Sequence, residues 1–182
     1  MEKTLTHLHP APRILEEVGL GLLVNFRVAL ESALRRGVRL CYLAVEREPL
    51  PKEALAAIRL PLPRAEAVFA ELLEAWPQER FAGPWGELEV VFADVGDAAL
   101  PRAWATAVFL DPFSPRVNPG PWEAPVLRGL RRALRPGGRL ATYSAQGAFR
   151  RALLRAGFRV HRVRGVGKRE WTVGIAAGAP PG

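Results

Sequence analysis

Residues 107–119 read AVFLDPFSPRVNP, and this stretch points to the fold class. The apolar residues from Ala107 to Leu110 predict a buried strand, and Asp111 follows that strand directly. In open α/β sheets the ligand binds at the edge where the strands end. Three prolines within the next eight residues stiffen the loop. The stretch therefore predicts a carboxylate and an aromatic ring, Asp111 and Phe113, on a braced loop beside a sheet.

Predicted strands and helices alternate along the rest of the chain. The predicted strands are Arg13–Val18, Arg39–Val45, Glu87–Ala93, Ala105–Leu110 and Arg139–Ser144. The predicted helices are Asn25–Arg36, Lys52–Arg59, Arg64–Trp76, Glu123–Leu134 and Ala148–Ala156. Two late strands, Arg159–Val163 and Trp171–Ala176, have no helix between them. This order predicts an α/β, Rossmann-like, doubly wound and mostly parallel sheet with a C-terminal antiparallel hairpin.

Length and composition predict one domain over residues 1–182, with residues 1–12 as a short N-terminal extension and 178–182 as a loose tail. One cysteine excludes an internal disulfide and a cysteine-based zinc site. The three histidines have no metal-ligand spacing, so we expect no metal. No apolar run is long enough to span a membrane, and the N-terminus lacks the apolar region of a signal peptide. We therefore expect a cytoplasmic protein.

The positive charge of the chain is concentrated in its C-terminal third. Residues 116–182 contain 14 Lys and Arg but two Asp and Glu, whereas residues 1–115 contain 12 and 16. Such a basic segment indicates a polyanionic partner, with nucleic acid favoured. The alternative is an ordinary solvated surface in a chain that prefers Arg to Lys.

The first strand-to-helix turn has the glycines of a ligand-binding loop. It reads Glu17-Val18-Gly19-Leu20-Gly21, and the helix that follows offers free N–H groups. A nucleotide or an amino-acid carboxylate would suit this turn. An ordinary tight turn is the alternative, because Leu23 stands where a third glycine is expected.

Acidic residues also end the next two strands. Glu46 lies 25 residues beyond Gly21, near the spacing of an acid that binds ribose hydroxyls. Asp94 ends the third strand and could accept a bond from an adenine amino group. Asp97 competes with Asp94, and it could equally begin a helix. A solvated acid at a strand end is the alternative for Glu46.

Asp111 and Phe113 together suit an amine acceptor. A carboxylate can orient the N–H groups and offset charge as the nitrogen is alkylated, and a ring can stack on a flat base. The alternative is a strand-end Asp bound by loop N–H groups. We find no Ser/His/Asp or Cys/His set in the sequence, which disfavours hydrolase chemistry.

With these residues identified, the chain resembles the class I S-adenosylmethionine-dependent methyltransferases. More narrowly, it resembles the methyltransferase half of the family that makes 5-methylaminomethyl-2-thiouridine in tRNA. The first family motif is matched by Glu17, Gly19, Gly21, Asn25 and Phe26, and Leu23 departs from it. The second is matched by Asp111, Phe113, Pro115, Asn118, Pro119 and Trp122. The resemblance covers residues 13–175.

The resemblance implies methyl transfer from S-adenosylmethionine to the amine of 5-aminomethyl-2-thiouridine at the tRNA wobble position. It implies catalytic roles for Asp111 and Phe113. The implied cofactor-binding residues are Glu17, Gly19, Gly21, Asn25, Glu46, Asp94 and Asp111. The implied RNA contacts are Arg150, Arg151, Lys168 and Arg169. The open alternatives are another RNA, protein or small-amine acceptor, and a non-catalytic RNA-binding member of the fold, which Leu23 motivates.

Overall fold

The computed structural model describes residues 13–17, 20–113, 117–165 and 170–178, with the backbone alone given for residues 15–17. Strands in these ranges form one eight-stranded sheet. The strands are β1 (Arg13–Glu17), β2 (Leu40–Glu46), β3 (Arg80–Gly83), β4 (Gly86–Phe92), β5 (Ala105–Leu110), β6 (Leu134–Thr142), β7 (Phe158–Arg164) and β8 (Glu170–Ala176). The helices are α1 (Val24–Arg35), α2 (Lys52–Ala56), α3 (Pro63–Glu74), α4 (Ala124–Ala133) and α5 (Gly147–Arg155), with a 3-10 turn over Gly120–Trp122.

The strand order is β3-β4-β2-β1-β5-β6-β8-β7. Neighbours from β4 to β6 pair in parallel, and β8 pairs antiparallel with both β6 and β7. This architecture confirms the predicted α/β class and the C-terminal antiparallel pair. The last strand is inserted between β6 and β7, so β7 forms the edge of the sheet.

The sequence prediction missed one edge strand, β3, which pairs antiparallel with β4. It has four residues and two of them are small, so neither its length nor its composition indicates a strand. The turn that follows needs Gly86, whose φ is +132°. A Cβ at Gly86 would overlap the carbonyl oxygen of Leu40 on the neighbouring strand.

The start of β6 also differs from the prediction. We predicted a helix to Leu134 and a strand from Arg139, but α4 ends at Ala133 and Leu134 is already extended, with φ −74° and ψ 137°. Leu134 pairs with Ala105, and the next pair is Arg139 with Ala107. The residues between these pairs form a bulge, which hides the first strand residue from a sequence pattern.

Helices pack on both faces of the sheet. On one face, helices α1 and α3 bury Phe26, Leu30 and Phe69 against the sheet. On the other, α4 and α5 bury Leu127 and Leu153. Burying each such side chain stabilises the fold by roughly 1.5–3 kcal/mol. The two layers therefore hold the strand ends in fixed positions.

Three further observations bear on the class of protein. No helix among the described residues is long and apolar enough to cross a membrane. Within the same ranges, no three His, Cys, Asp or Glu residues lie close enough together to hold a metal ion. Cys41 is partly buried, and burial together with the neighbouring Glu87 raises the pKa of its thiol.

Candidate active site

Four parallel strands end at one edge of the sheet. Residue 17 of β1 pairs with both Val45 of β2 and Leu110 of β5, and Glu46 pairs with Phe92 of β4. The loops that follow these strands therefore meet, because the carboxyl ends of parallel strands share one edge of the sheet. Gly19 and the side chain of Glu17 lie outside the described residues. Gly21, Glu46, Asp94 and Asp111 are described and lie along this edge.

The turn between β1 and α1 has a compact backbone. Gly21 and Leu23 both have positive φ, at 44° and 53°. The Leu23 N–H donates to the carbonyl oxygen of Leu20 at 2.6 Å, and α1 begins at Val24. Positive φ is easy for glycine, whereas in leucine it costs about 1 kcal/mol or more.

Leu23, which departs from the family motif, places its side chain in the protein interior. It is fully buried and belongs to the core cluster that also contains Phe26 and Leu30. The side chain therefore does not occupy the solvent-facing side of the turn. The turn keeps the shape that the missing glycine would favour, and Leu23 packs beneath it.

A buried arginine, Arg27, braces the same turn. It is inaccessible to solvent. Its guanidinium donates to the Leu22 carbonyl at 2.8 Å and to the Ile58 carbonyl and Glu66 carboxylate at 2.9 Å each. It also lies over the Phe69 ring at 4.3 Å. Sequence reasoning missed this brace, because an arginine in an amphipathic helix is normally exposed.

The Glu46 carboxylate lies against the turn. One oxygen accepts the Gly21 N–H at 3.4 Å, and the other accepts the Glu48 N–H at 3.0 Å. The side chain is partly exposed, and each carboxylate oxygen retains a lone pair for a further donor. Glu46 can therefore accept hydrogen bonds from two adjacent hydroxyl groups beside the glycine turn.

Asp94 begins the loop after β4. Its side chain accepts the Gly96 N–H at 3.1 Å through one oxygen, and its carbonyl accepts the N–H groups of Asp97 and Ala98. Asp94 is exposed, and the adjacent Val95 is buried. Asp97 does not begin a helix, because the chain passes from this turn to β5 without one. Asp94 is therefore better placed than Asp97 to bind a ligand, because its second carboxylate oxygen lies at this edge beside the apolar Val95.

Asp111 is connected to the glycine turn. The Asn25 amide donates to an Asp111 carboxylate oxygen at 3.3 Å, which joins residues 86 positions apart. Partial burial raises the pKa of the Asp111 carboxyl above its ordinary value of 3.8, and the bond from Asn25 opposes that rise. Asp111 keeps a solvent-accessible carboxylate, so it can accept a hydrogen bond from a ligand beside α1.

Two ring side chains hold the loop that follows Asp111. The Tyr143 hydroxyl donates to the Pro112 carbonyl at 2.9 Å, and the Trp122 indole donates to the Phe113 carbonyl at 3.0 Å. The Phe113 ring itself is 76% exposed. Burial raises the pKa of Tyr143, and the nearby Asp111 charge adds to the rise. Sequence reasoning did not assign Tyr143 a role, although it lies at the end of β6 on the same sheet edge.

The structure describes two of the four predicted RNA contacts, Arg150 and Arg151, and these two differ in exposure. Arg150 is largely buried at its side chain and donates to Thr172 at 3.1 Å and Glu170 at 2.9 Å. The hydrogen bond and the positive charge of Arg150 hold the pKa of the Glu170 carboxyl below its ordinary value, with the charges of Arg162 and Arg164 adding to the effect. Arg150 therefore joins α5 to β8, and its predicted phosphate contact stays a prediction. Arg151 is exposed, and Lys168 and Arg169 lie outside the described residues.

Comparison with known proteins identifies the family. The sequence profile of a family of S-adenosyl-L-methionine-dependent methyltransferases matches residues 63–177, more than half of the chain. The chain belongs to this methyltransferase family. Its cofactor is S-adenosylmethionine. The predicted family and enzyme class are thereby confirmed.

The names of several relatives of this methyltransferase refer to tRNA modification. It is 35% identical over 180 residues to the tRNA 5-methylaminomethyl-2-thiouridine biosynthesis bifunctional protein MnmC of Cupriavidus necator, with 92% of this chain and 27% of that protein covered. The protein of the same name in Aromatoleum aromaticum is 37% identical over 167 residues, with 85% and 26% covered. The chain thus spans about a quarter of the length of these relatives.

Solved structures agree with this fold. MnmC2 from Aquifex aeolicus superimposes with a TM-score of 0.76 at 30% identity, covering 96% of this chain and 56% of that one. The antibiotic-resistance methyltransferase Kmr superimposes with a TM-score of 0.56 at 22% identity, covering 93% and 88%. The second likeness shows the fold alone. The sheet order described above is therefore that of a methyltransferase of this class.

Proposed function

We propose that this methyltransferase transfers a methyl group to the exocyclic amine of 5-aminomethyl-2-thiouridine at the wobble position of tRNA. The observation that carries the proposal is the Asp111 carboxylate, bonded at 3.3 Å to Asn25 of the glycine turn and followed by the exposed Phe113 ring. This arrangement puts an acceptor for amine N–H groups next to the cofactor side. We choose this amine because the names of the relatives refer to the biosynthesis of 5-methylaminomethyl-2-thiouridine in tRNA.

The residues of the edge fit S-adenosylmethionine. Bound here, the cofactor supplies an electrophilic methyl group on a sulfonium. The Glu46 carboxylate accepts the Gly21 N–H and therefore lies next to the turn. There its oxygens can accept hydrogen bonds from both ribose hydroxyls. Asp94 retains an oxygen for the adenine amino group, beside the apolar Val95. Asn25 and Gly21 border the methionyl part, and Glu17 and Gly19 complete the proposed set.

Asp111 acts on the acceptor amine. Its carboxylate accepts an N–H hydrogen bond and so directs the nitrogen lone pair towards the methyl group. As the new C–N bond forms and the C–S bond breaks, nitrogen gains positive charge, which the carboxylate offsets. The nitrogen then releases one proton to water. The hydrogen bond from Asn25 keeps Asp111 in place during this change.

Phe113 contacts the base of the acceptor nucleotide, whereas Asp111 contacts its amine. Its ring is exposed, while the Trp122 bond to its carbonyl fixes its backbone. An exposed ring on a fixed backbone can stack on an unpaired base with little loss of side-chain entropy. Phe113 therefore forms one wall of the acceptor site.

The RNA backbone contacts the basic C-terminal third. Arg151 is exposed on α5 and is retained as a phosphate contact, together with Lys168 and Arg169. Arg150 supports this surface from below through its bonds to Glu170 and Thr172. A tRNA acceptor also agrees with the expected cytoplasmic location.

Radiolabelled methyl transfer to tRNA carrying 5-aminomethyl-2-thiouridine tests the proposal. The wild-type protein should label this tRNA and should not label the same tRNA with unmodified uridine. Asp111→Ala should lower turnover about 100-fold, a typical effect of losing one electrostatic or proton-handling group. The affinity for S-adenosylmethionine, measured by calorimetry, should change less than about twofold because Glu46, Asp94 and the backbone of the turn are untouched.

Two results would contradict the proposal. Label in small amines or proteins with none in tRNA would show a different acceptor. Loss of cofactor affinity and turnover together in Asp111→Ala would show that Asp111 supports the fold and does not act on the amine. Asp111→Asn, which keeps the shape and the contact with Asn25, separates a lost charge from lost packing.

A further inference from the structure

The β7–β8 pair has two unequal faces. One face packs against α5, and there Phe158, Thr172 and Ala176 are buried. On the opposite face the side chains of β7 are exposed, and those of β8 are exposed or partly buried. Since side chains alternate along a strand, the two faces can be assigned from the register.

Trp171 and Val163 lie directly opposite each other on the uncovered face. Trp171 is 41% exposed and Val163 is 44% exposed, so two large apolar side chains lie side by side at the surface. The next pair on this face is Val173 with His161, and Val173 also pairs with Ala141 of β6. We call this surface, formed by Ala141, His161, Val163, Trp171 and Val173, the β8 platform.

The β8 platform reaches the active edge of the sheet. Because β8 is antiparallel, its first residues lie beside the end of β6, with Thr172 opposite Thr142. Ala141 pairs in turn with Phe109, two residues before Asp111. Two strand spacings separate β5 from β8, a distance of roughly 10 Å. A ligand that places one group at Asp111 therefore extends naturally onto Trp171.

The surroundings of the β8 platform are basic. Arg159 lies on the same face, opposite Ile175. Arg139 of β6 lies on this face as well, also opposite Ile175, and both arginines are exposed. By the same alternation, Arg162 and Arg164 lie on the α5 face, at the edge of the sheet. The nearby acid, Glu170, is paired with Arg150. An aromatic and apolar strip with a cationic border matches single-stranded RNA, whose bases stack while its phosphates bind arginine. Protein interface cores are instead depleted of charge.

We propose that the β8 platform binds unpaired bases of the RNA substrate next to the methylated nucleotide, with Trp171 as the stacking residue. The proposal rests on the proposed function for its RNA acceptor. Trp171 acts as a positioning residue, because it holds the neighbouring base while Asp111 contacts the reacting amine. Stem-loop RNA is therefore preferred to duplex RNA of the same length, since paired bases cannot reach the platform.

Binding of an anticodon stem-loop RNA, followed by fluorescence anisotropy, tests the platform without requiring methyl transfer. Trp171→Ala should raise the Kd for the stem-loop about tenfold, the effect of losing one base-stacking contact. Trp171→Phe, which keeps an aromatic face, should stay within about threefold of wild type. Leu154→Ala is the matched control, because Leu154 is 55% exposed on α5 and away from the platform. Neither control variant should change cofactor affinity.

Steady-state kinetics show whether Trp171 affects RNA binding or the chemical step. In Trp171→Ala, KM for the stem-loop carrying 5-aminomethyl-2-thiouridine should rise about tenfold, while turnover of the free nucleoside should stay unchanged. If the protein methylates no RNA and yet binds the stem-loop through Trp171, the acceptor proposal fails and the platform stands. If methylation is normal and unaffected by Trp171→Ala, the platform proposal fails alone.

Other results would overturn the platform proposal. Equal affinity of wild type and Trp171→Ala for the stem-loop is one such result, and equal binding of duplex RNA is another. A dimer in sedimentation that Trp171→Ala dissociates would assign this face to a second copy of the chain.

Discussion

The two sides of the active edge are held in different ways. The cofactor-side turn, residues 20–25, is fixed from beneath by the buried Leu23 and Arg27. The acceptor-side loop, residues 111–113, is fixed by two hydrogen bonds to its carbonyl groups, from Tyr143 and Trp122. The shape of the turn is therefore coupled to the stability of the whole domain. The shape of the loop depends on a few local bonds and can change while the fold remains intact.

Of the substitutions at the two sides of the active edge, Leu23→Gly should have the largest effect, and on stability alone. Glycine relieves about 1–2 kcal/mol of backbone strain at φ 53°. Losing a fully buried leucine costs about 3–5 kcal/mol, so the free energy of unfolding should fall by roughly 2–3 kcal/mol. Urea denaturation measures this loss. Affinity for S-adenosylmethionine should stay within about twofold, because the side chain does not face the site.

Leu30→Gly is the matched control for this substitution. Leu30 is equally buried but lies in the interior of α1, where glycine adds a helix penalty of about 1 kcal/mol and relieves no strain. Its loss of stability should therefore exceed that of Leu23→Gly by about 2 kcal/mol. A marked gain in cofactor affinity in Leu23→Gly would contradict the present placement of Leu23.

The contrast also explains what the sequence predicts well. The strand ends and their acids follow from apolar runs and from parallel order, so Glu46, Asp94 and Asp111 could be placed on one edge in advance. Arg27 could not, because its burial depends on Glu66 and Ile58, which are distant in sequence. Tyr143 likewise gains its role only when β6 is paired beside β5. The short β3 was missed because its pairing depends on Gly86.

On the cofactor side, Glu46→Gln should weaken binding of S-adenosylmethionine about 30-fold. Hydrogen bonds to a charged group are each worth about 1.5–3 kcal/mol, and the amide can accept through one oxygen only. Calorimetry measures the affinity. Turnover at saturating cofactor should change less than about twofold. Glu48→Gln, on the adjacent exposed acid, should have no effect, and equal losses in both variants would point to general electrostatics rather than a ribose contact.

On the acceptor side, Tyr143→Phe should lower turnover about fivefold. It removes the 2.9 Å bond to the Pro112 carbonyl, worth about 1 kcal/mol, and keeps the ring contact with Trp122. Steady-state kinetics should show the loss in kcat, with cofactor affinity unchanged and a fall in the free energy of unfolding of no more than about 1 kcal/mol. A loss of stability as large as that of Leu23→Gly would show that the two sides are not held differently.

The smallest expected effect is a gain of stability in Asp111→Asn at neutral pH. Burial raises the pKa of Asp111 above 3.8 in the folded protein, so the folded state favours the protonated form. The stability that this provides is present below the unfolded pKa and is lost as pH rises through the folded pKa.

Asparagine does not titrate. The difference in urea midpoint between Asp111→Asn and wild type should therefore grow from pH 3 to pH 7, with the variant the more stable. Because Asp111 remains accessible to solvent, the gain should be small. A carboxylate that lowers stability at working pH, on a loop that two hydrogen bonds hold in place, is better explained by its action on the amine than by any contribution to the fold.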